Sequence, residues 1–496
     1  MEMKNRYVDN SGSPIPLETF PLNDNAEPYT PPQRTILWPE LLVASAISMA
    51  MLLNGFTVGY SSCAIPRLLD SIKTADENYE AISWVATSAS LAASVGGFLG
   101  GPLITYIGRR YTLIGTGVPF FISWILVAST SNLHLIIAGR VLSGICVGVV
   151  YSAFPVYIVE TVQPKLRGAL GLLPIAFRSG GIILVYLACP YLDISTMAYI
   201  AAALSVPIFL LFFVTPESPR WYIAKGHDHD ARKALQWLRG KNYNIENEMQ
   251  DLTQFQTEAD KTKGIALKQM FYMENTPAIL ISFGLMIFQQ LTGTTVIYYY
   301  AHRMFPNPID IQSFYVRIVI VIVFSFVIAI ILVDVIGRKM LLYISSASII
   351  LSTSTLGVFA YIQELNDNIS FGSLSQLCLA LYIFGSSVGY ESISWLMLGE
   401  ILPLKIRGTV VSVITGITWV CSTYMGTSFV RMIISGDPYS PLFLFAVIHL
   451  VAIIFVVCCV PETCGKTLEE IEINLTERVK SVNNRNGADR NTDANL

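Results

Sequence analysis

Twelve stretches of this chain are apolar for about twenty residues or more, and they constrain its fold more than any other feature. A bilayer's hydrocarbon core takes about 20 residues of α-helix to cross. The stretches run over 38–62, 81–106, 111–130, 133–157, 168–190, 196–214, 277–301, 314–336, 340–362, 372–402, 408–433 and 441–460. A polar segment, 215–275, parts them into two groups of six. The expected fold is therefore an all-α polytopic membrane protein with twelve transmembrane helices. Its expected divisions are an N-terminal tail (1–37), a six-helix bundle (38–214), a central loop (215–275), a second six-helix bundle (276–460) and a C-terminal tail (461–496). Of the 496 residues, 53% are hydrophobic and 14% charged, against about 25% charged in ordinary soluble chains.

Lys and Arg orient the spans. The termini and even-numbered loops hold 25 of the 32, and the odd-numbered loops hold Arg67, Lys73 and Arg303. The positive-inside rule then places both termini and the central loop in the cytoplasm. Asn368-Ile-Ser370 falls outside, as a weak N-glycosylation signal. Net charge is −3, so nothing points to nucleic acid. The eight cysteines fall mostly in apolar stretches and form no C-x-x-C pair, so neither a disulfide framework nor a metal site is expected. Residues 1–37 are polar and Pro-rich, and the first span is expected to target the chain without a cleaved leader.

An internal repeat links the halves. YIGRR (106–110) answers to VIGRK (335–339), ETVQPKLRG (160–168) to EILPLKIRG (400–408), and PESPR (216–220) to PETCGK (461–466). The separations are 229, 240 and 245 residues, in the same order in both halves. Such a duplication fits parallel six-helix halves with a binding site between them. The bland alternative is shared loop chemistry, since basic residues are common beside cytoplasmic helix ends.

With GPLITYIGRR, AGRVLSGICVG, PESPRWYI, QQLTGTTVIYYY, WLMLGEILPLKIRG and PETCGKTLEEI in place, the chain resembles the sugar porter family of the major facilitator superfamily. LGLLP after KLRG brings it nearest the insect trehalose-transporter branch. The resemblance implies the major facilitator fold, two pseudo-symmetric halves, and facilitated diffusion or proton symport of a sugar by alternating access. It also implies a cytoplasmic gate of Arg109, Arg110, Glu160, Arg167, Glu217, Asp334, Arg338, Glu400, Arg407 and Glu462. Opposite charges at those helix ends pair when the inner mouth is closed and part when it opens. The acid usual in the first-half motif is Thr105 here.

The expected substrate contacts are Gln289, Gln290, Thr295, Trp395, Trp419 and Ser422, with Tyr299 in an outer gate. Amides inside a bilayer need partners, which sugar hydroxyls or other helices could supply. The tryptophans offer apolar faces to a pyranose, or they pack in lipid. In the tenth span the family's two prolines are Ser392 and Ser394, so a straighter helix with less localised bending is expected. Two charges lie in mid-span, Arg178 and Glu391. Charges at that depth are costly and by default functional. Either they face each other across the cavity, or each snorkels or pairs locally. A titrating Glu391 would couple protons; a free Arg178 would favour an organic anion.

The leading expectation is a plasma-membrane sugar carrier for trehalose or a hexose, monomeric, without cofactor and not an enzyme. The alternatives are a carrier of the same fold with a changed cargo (polyol, modified sugar or organic anion), or a nutrient sensor that does not transport.

Overall fold

The computed structural model describes residues 37–71, 77–130, 132–261, 275–293, 311–366, 372–434 and 439–475. Six long helices open the chain: α1 (Trp38–Ser71), α2 (Glu77–Tyr106), α3 (Arg109–Ala128), α4 (Leu133–Thr161), α5 (Arg167–Ala188) and α6 (Ile194–Leu210). The polar segment folds as α7 (Pro219–Ala224), α8 (Asp228–Arg239) and α9 (Glu246–Lys261). Then come α10 (Thr276–Leu291), α11 (Ile311–Leu332), α12 (Arg338–Leu365), α13 (Gly372–Val388), α14 (Tyr390–Ile401), α15 (Leu404–Ile434) and α16 (Ser440–Cys458). Among the described residues ten spans are long and apolar enough to cross a membrane, α13 and α14 counting as one. Two shorter apolar helices, Thr276–Leu291 and Val316–Leu332, stand at the seventh and eighth expected positions.

Small residues let these helices approach closely, as membrane helices do where apolar burial no longer drives association. A Cβ on Gly148 of α4 would lie 2.0 Å from the Ala93 carbonyl oxygen of α2. The halves meet along α2 with α15 and α5 with α11, which are corresponding pairs under the sequence repeat. On the first seam, a Cβ on Gly97 would lie 2.7 Å from the Gly416 nitrogen, and Ser412 Oγ donates to the Gly97 carbonyl at 2.6 Å.

Two expectations are corrected. The tenth span is broken, although its prolines are gone. Gly389 (φ −117°, ψ −91°) separates α13 from α14. An added Cβ there would lie 2.2 Å from Ser345 Cβ on α12, so glycine permits a contact that no larger residue could make. The break sets Glu391 in the first turn of α14, at the positive end of that helix. Secondly, Cys63 and Cys189 are joined in a disulfide across 126 residues of sequence. No spacing signal announces it, because α1 and α5 pack along each other and bring the Cα atoms within 6.0 Å. Arg67 Nη1 donates to the Leu192 carbonyl at 2.5 Å beside it.

Candidate functional site

The sequence repeat is reproduced as a repeated side-chain network. In the first half, Gly108 turns the chain at φ 109°, a conformation that strains any other residue. Glu217 then caps α3, accepting from the Arg109 and Arg110 backbone N–H groups at 2.9 Å each. Arg109 Nη2 lies 3.0 Å from Glu160 Oε1, and Ser218 Oγ donates to Glu160 Oε2 at 2.6 Å. In the second half Gly337 turns at φ 89°. Glu462 caps α12 through the Arg338 and Lys339 N–H groups at 3.1 and 2.9 Å. Arg338 Nη2 lies 3.3 Å from Glu400 Oε1, and Thr463 Oγ1 donates to Glu400 Oε2 at 2.7 Å. Each capping carboxylate satisfies orphan donors and meets the positive end of its helix.

Fewer bonds cross between halves at this end. Arg407 Nη1 lies 3.7 Å from Glu160 Oε1. Asp334 Oδ2 accepts from the Ala169 N–H of α5 at 2.8 Å while its Oδ1 pairs with Arg338 at 3.0 Å. Arg167 Nη1 donates to the Lys466 carbonyl at 3.2 Å, and Arg220 pairs with Glu469 on a helix over 468–475. The seat for Asp334 depends on Gly168, where a Cβ would lie 2.0 Å from Oδ1. The corresponding first-half position, Thr105, sits against Gly408 with a hydroxyl and no carboxylate. Arg110 enters the network only through its backbone N–H; its guanidinium donates to the Phe212 and Phe213 carbonyls, both at 2.8 Å.

The central residues gather where the halves face each other. Arg178 Nη1 of α5 lies 2.5 Å from Glu391 Oε1 of α14, and both residues are buried. Tyr151 of α4 packs against Trp395 (ring centroids 4.9 Å) and edge-on to Trp419 (5.2 Å), with Phe154 5.7 Å from Trp395. Gln289 and Gln290 close α10, which packs on α14 and α15, the two helices that carry these tryptophans. They are half-buried, and Gln290 Nε2 donates to Gln289 Oε1 at 2.7 Å. Glu391 Oε2, Ser394 Oγ, Thr415 Oγ1 and Trp419 Nε1 are buried without a partner among the described residues. Buried polar atoms of this kind normally have one. Ser422 is half-buried on α15. Thr295, Tyr299 and Asn368 lie outside the described residues.

The sequence reading missed several of these residues. Ser218 and Thr463 hold equal offsets in the repeat, so their hydroxyls were legible there. Tyr151 and Phe154 had no signal beyond being aromatics in a glycine-rich span. Glu40 and Arg239, which pair at 2.6 Å and dock α8 beneath α1, are too far apart in sequence to be matched.

Three comparisons place the chain among known proteins. Residues 43–475 match the family model for sugar (and other) transporters. The chain is 47% identical over 467 residues to the facilitated trehalose transporter Tret1 of Bombyx mori, covering 93% of this chain and 92% of that one. It is 40% identical to the facilitated trehalose transporter Tret1-2 homolog of Drosophila simulans, over 91% and 94% of the two chains. Against the Drosophila grimshawi Tret1, also 40% identical, it spans 53% of the relative's length. The proton:xylose symporter XylE, solved with 6-bromo-6-deoxy-D-glucose, superposes with a TM-score of 0.79 at 24% identity, over 88% of this chain and 99% of that one. That likeness establishes the major facilitator fold. The chain therefore belongs to the sugar transporter family, on the branch of the insect facilitated trehalose transporters.

Proposed function

We propose that the protein carries a sugar, trehalose or a hexose such as glucose, across the plasma membrane by alternating access. The observation that carries this reading is the aromatic wall of Tyr151, Phe154, Trp395 and Trp419 beside the Gln289–Gln290 pair, with unpartnered polar atoms around it. Apolar faces suit the C–H side of a pyranose, and amides with free hydroxyl and indole groups suit its hydroxyls. The residues 38–214 and 276–460 act as the two bundles, with both termini and the central loop cytoplasmic and the carrier a monomer.

The inner network supplies the mechanism. Bonds within each half hold its cytoplasmic end rigid. The four links between halves described at this end are individually weak enough to break when the mouth opens. Closed and open packings must differ by only a few kcal/mol for the cycle to turn. With these links made, the inner mouth is closed in this reading. Thr105 removes one carboxylate from the cross-half set, leaving Asp334 as the charged seat on a facing helix. The substrate roles of Thr295, Tyr299 and Ser422 belong to the same proposal.

A second reading, proton-coupled transport, is favoured by Glu391, a buried carboxylate with one oxygen unpartnered and Arg178 and Tyr151 beside it. Because Arg178 is engaged by Glu391, its charge is not available to an anionic cargo. Uptake of labelled trehalose and glucose at varied external pH separates the readings. Saturable uptake lost in Trp395→Ala supports a sugar carrier, and only a pH-dependent maximal rate that Glu391→Gln abolishes supports coupling.

A further inference from the structure

Two adjacent thiols take no part in the gate or the central site. Cys458 ends α16 and Cys459 caps it, and both are exposed, free thiols. The other cysteines are differently placed. Cys63 and Cys189 form the disulfide, Cys146 and Cys378 are buried, and Cys421 and Cys464 are half-buried.

The setting of the pair is specific. Val447, Val451 and Ile454 are exposed on α16, and Cys458 follows at helical spacing on the same face. An exposed apolar stripe on a membrane span faces lipid, so Cys458 stands where that stripe runs out. At the same level, Lys339 Nζ donates to the Val457 carbonyl at 3.1 Å, a basic group at the depth of the headgroups. Glu462, the carboxylate that caps α12, follows within one turn's length of chain. The thiols thus mark the membrane border at the end of the span that leads into Glu462.

We propose that Cys458 and Cys459 are a site of S-acylation by a long-chain fatty acid. Juxtamembrane cysteines are the setting in which this reversible modification occurs. The donor is a long-chain acyl-coenzyme A thioester. The cysteine thiolate attacks the acyl carbon, a new C–S bond forms, and the bond to coenzyme A breaks. Coenzyme A leaves as a thiolate and takes up the proton the cysteine gave up, with no change in oxidation state. An acyl chain on Cys458 would lie back along the exposed stripe, which runs about 16 Å from Val447 at 1.5 Å per residue. The tether would hold the end of α16 at the membrane surface while Glu462 moves with the gate. The proposal rests on the cytoplasmic orientation of this end given above.

The test is acyl exchange on the full-length chain expressed in insect cells. Free thiols are blocked, thioesters are cleaved with neutral hydroxylamine, and the released thiols are coupled to a mass tag. At least one hydroxylamine-dependent tag is expected in the wild type and in Cys464→Ser, and none in Cys458→Ser/Cys459→Ser. Absence of a tag in the wild type, while an acylated marker in the same lysate is tagged, would overturn the proposal. So would a tag that persists in the double variant. A parallel arm labels cells, grown with an acylation inhibitor, with a membrane-impermeant maleimide. Labelling of Cys458 and Cys459 on intact cells overturns the orientation. Labelling only after permeabilisation, with no thioester in untreated cells, leaves the orientation standing and overturns the acylation alone.

Discussion

Glu391→Gln is the most informative single change, because the Arg178–Glu391 pair is buried and shared between the halves. The two groups meet at 2.5 Å with side chains 10% and 4% exposed. With charge centres about 4 Å apart and an effective dielectric of about 20, their attraction is about 4 kcal/mol. The variant loses that attraction and also leaves Arg178 charged and buried without its counter-ion. The expected cost is about 3–5 kcal/mol. Arg178→Gln should cost a similar amount for the same reason. Arg178→Gln/Glu391→Gln should recover much of the loss, since two neutral amides need no counter-ion. The coupling energy of the cycle should then be at least as large as one single-variant loss, about 3–5 kcal/mol. The reversed pair, Arg178→Glu/Glu391→Arg, should exceed either of its single variants. The assay is unfolding of the purified carrier in lipid nanodiscs, with surface expression followed in parallel. If the single variants cost less than about 1 kcal/mol each, as exposed pairs do, or simply add in the double variant, the pair is not a coupled element and the reasoning fails.

Three further outcomes follow from the same geometry. Asp334→Asn weakens the seat on α5 and should loosen the inner mouth. Cys464, whose Sγ lies 3.7 Å from the Asp334 carbonyl oxygen, is a built-in reporter, and its maleimide labelling should accelerate several-fold; an unchanged rate would count against the seat. At the Arg220–Glu469 latch, burial opposes ionisation, but the Arg220 guanidinium overrides it and holds the Glu469 carboxyl down at about 2. A depressed acid stabilises the fold above its unfolded value near 4.5 and loses that contribution as pH falls toward 2. Glu469→Gln should therefore flatten the melting temperature between these pH values, and a profile parallel to the wild type would refute the latch. Finally, Cys63→Ser should free Cys189 for thiol tagging without reductant. In fully denatured protein the tag count should rise by one over the wild type, and a count that falls by one would contradict the disulfide.

The sequence carried the fold because hydropathy and loop charge act over whole helices, and neither depends on side-chain detail. It also carried the repeated bond network at one end of the two halves. The residues at offsets 229, 240 and 245 reappear as matching bonds, from the Gly108 and Gly337 turns to the Ser218 and Thr463 hydroxyls. A duplicated motif is legible because each copy tests the other. The central site was only partly legible. Mid-span depth singled out Arg178 and Glu391, but depth alone says nothing of rotation about the helix, which decides who meets whom. Proline arithmetic misjudged the tenth span, where close packing of Gly389 on Ser345 breaks the helix. The Cys63–Cys189 bridge and the Tyr151 contacts arise from which helices pack together, and no local pattern encodes that.

The most direct test of the central claim is uptake of labelled trehalose and of glucose into liposomes reconstituted with the purified carrier. The wild type should give saturable uptake of at least one of the two sugars, inhibited by the unlabelled sugar, and Trp395→Ala should lose most of it while remaining folded. Uptake of neither sugar by folded, reconstituted protein would contradict the account, and would mean that Arg178 and Glu391 close the centre to sugars altogether.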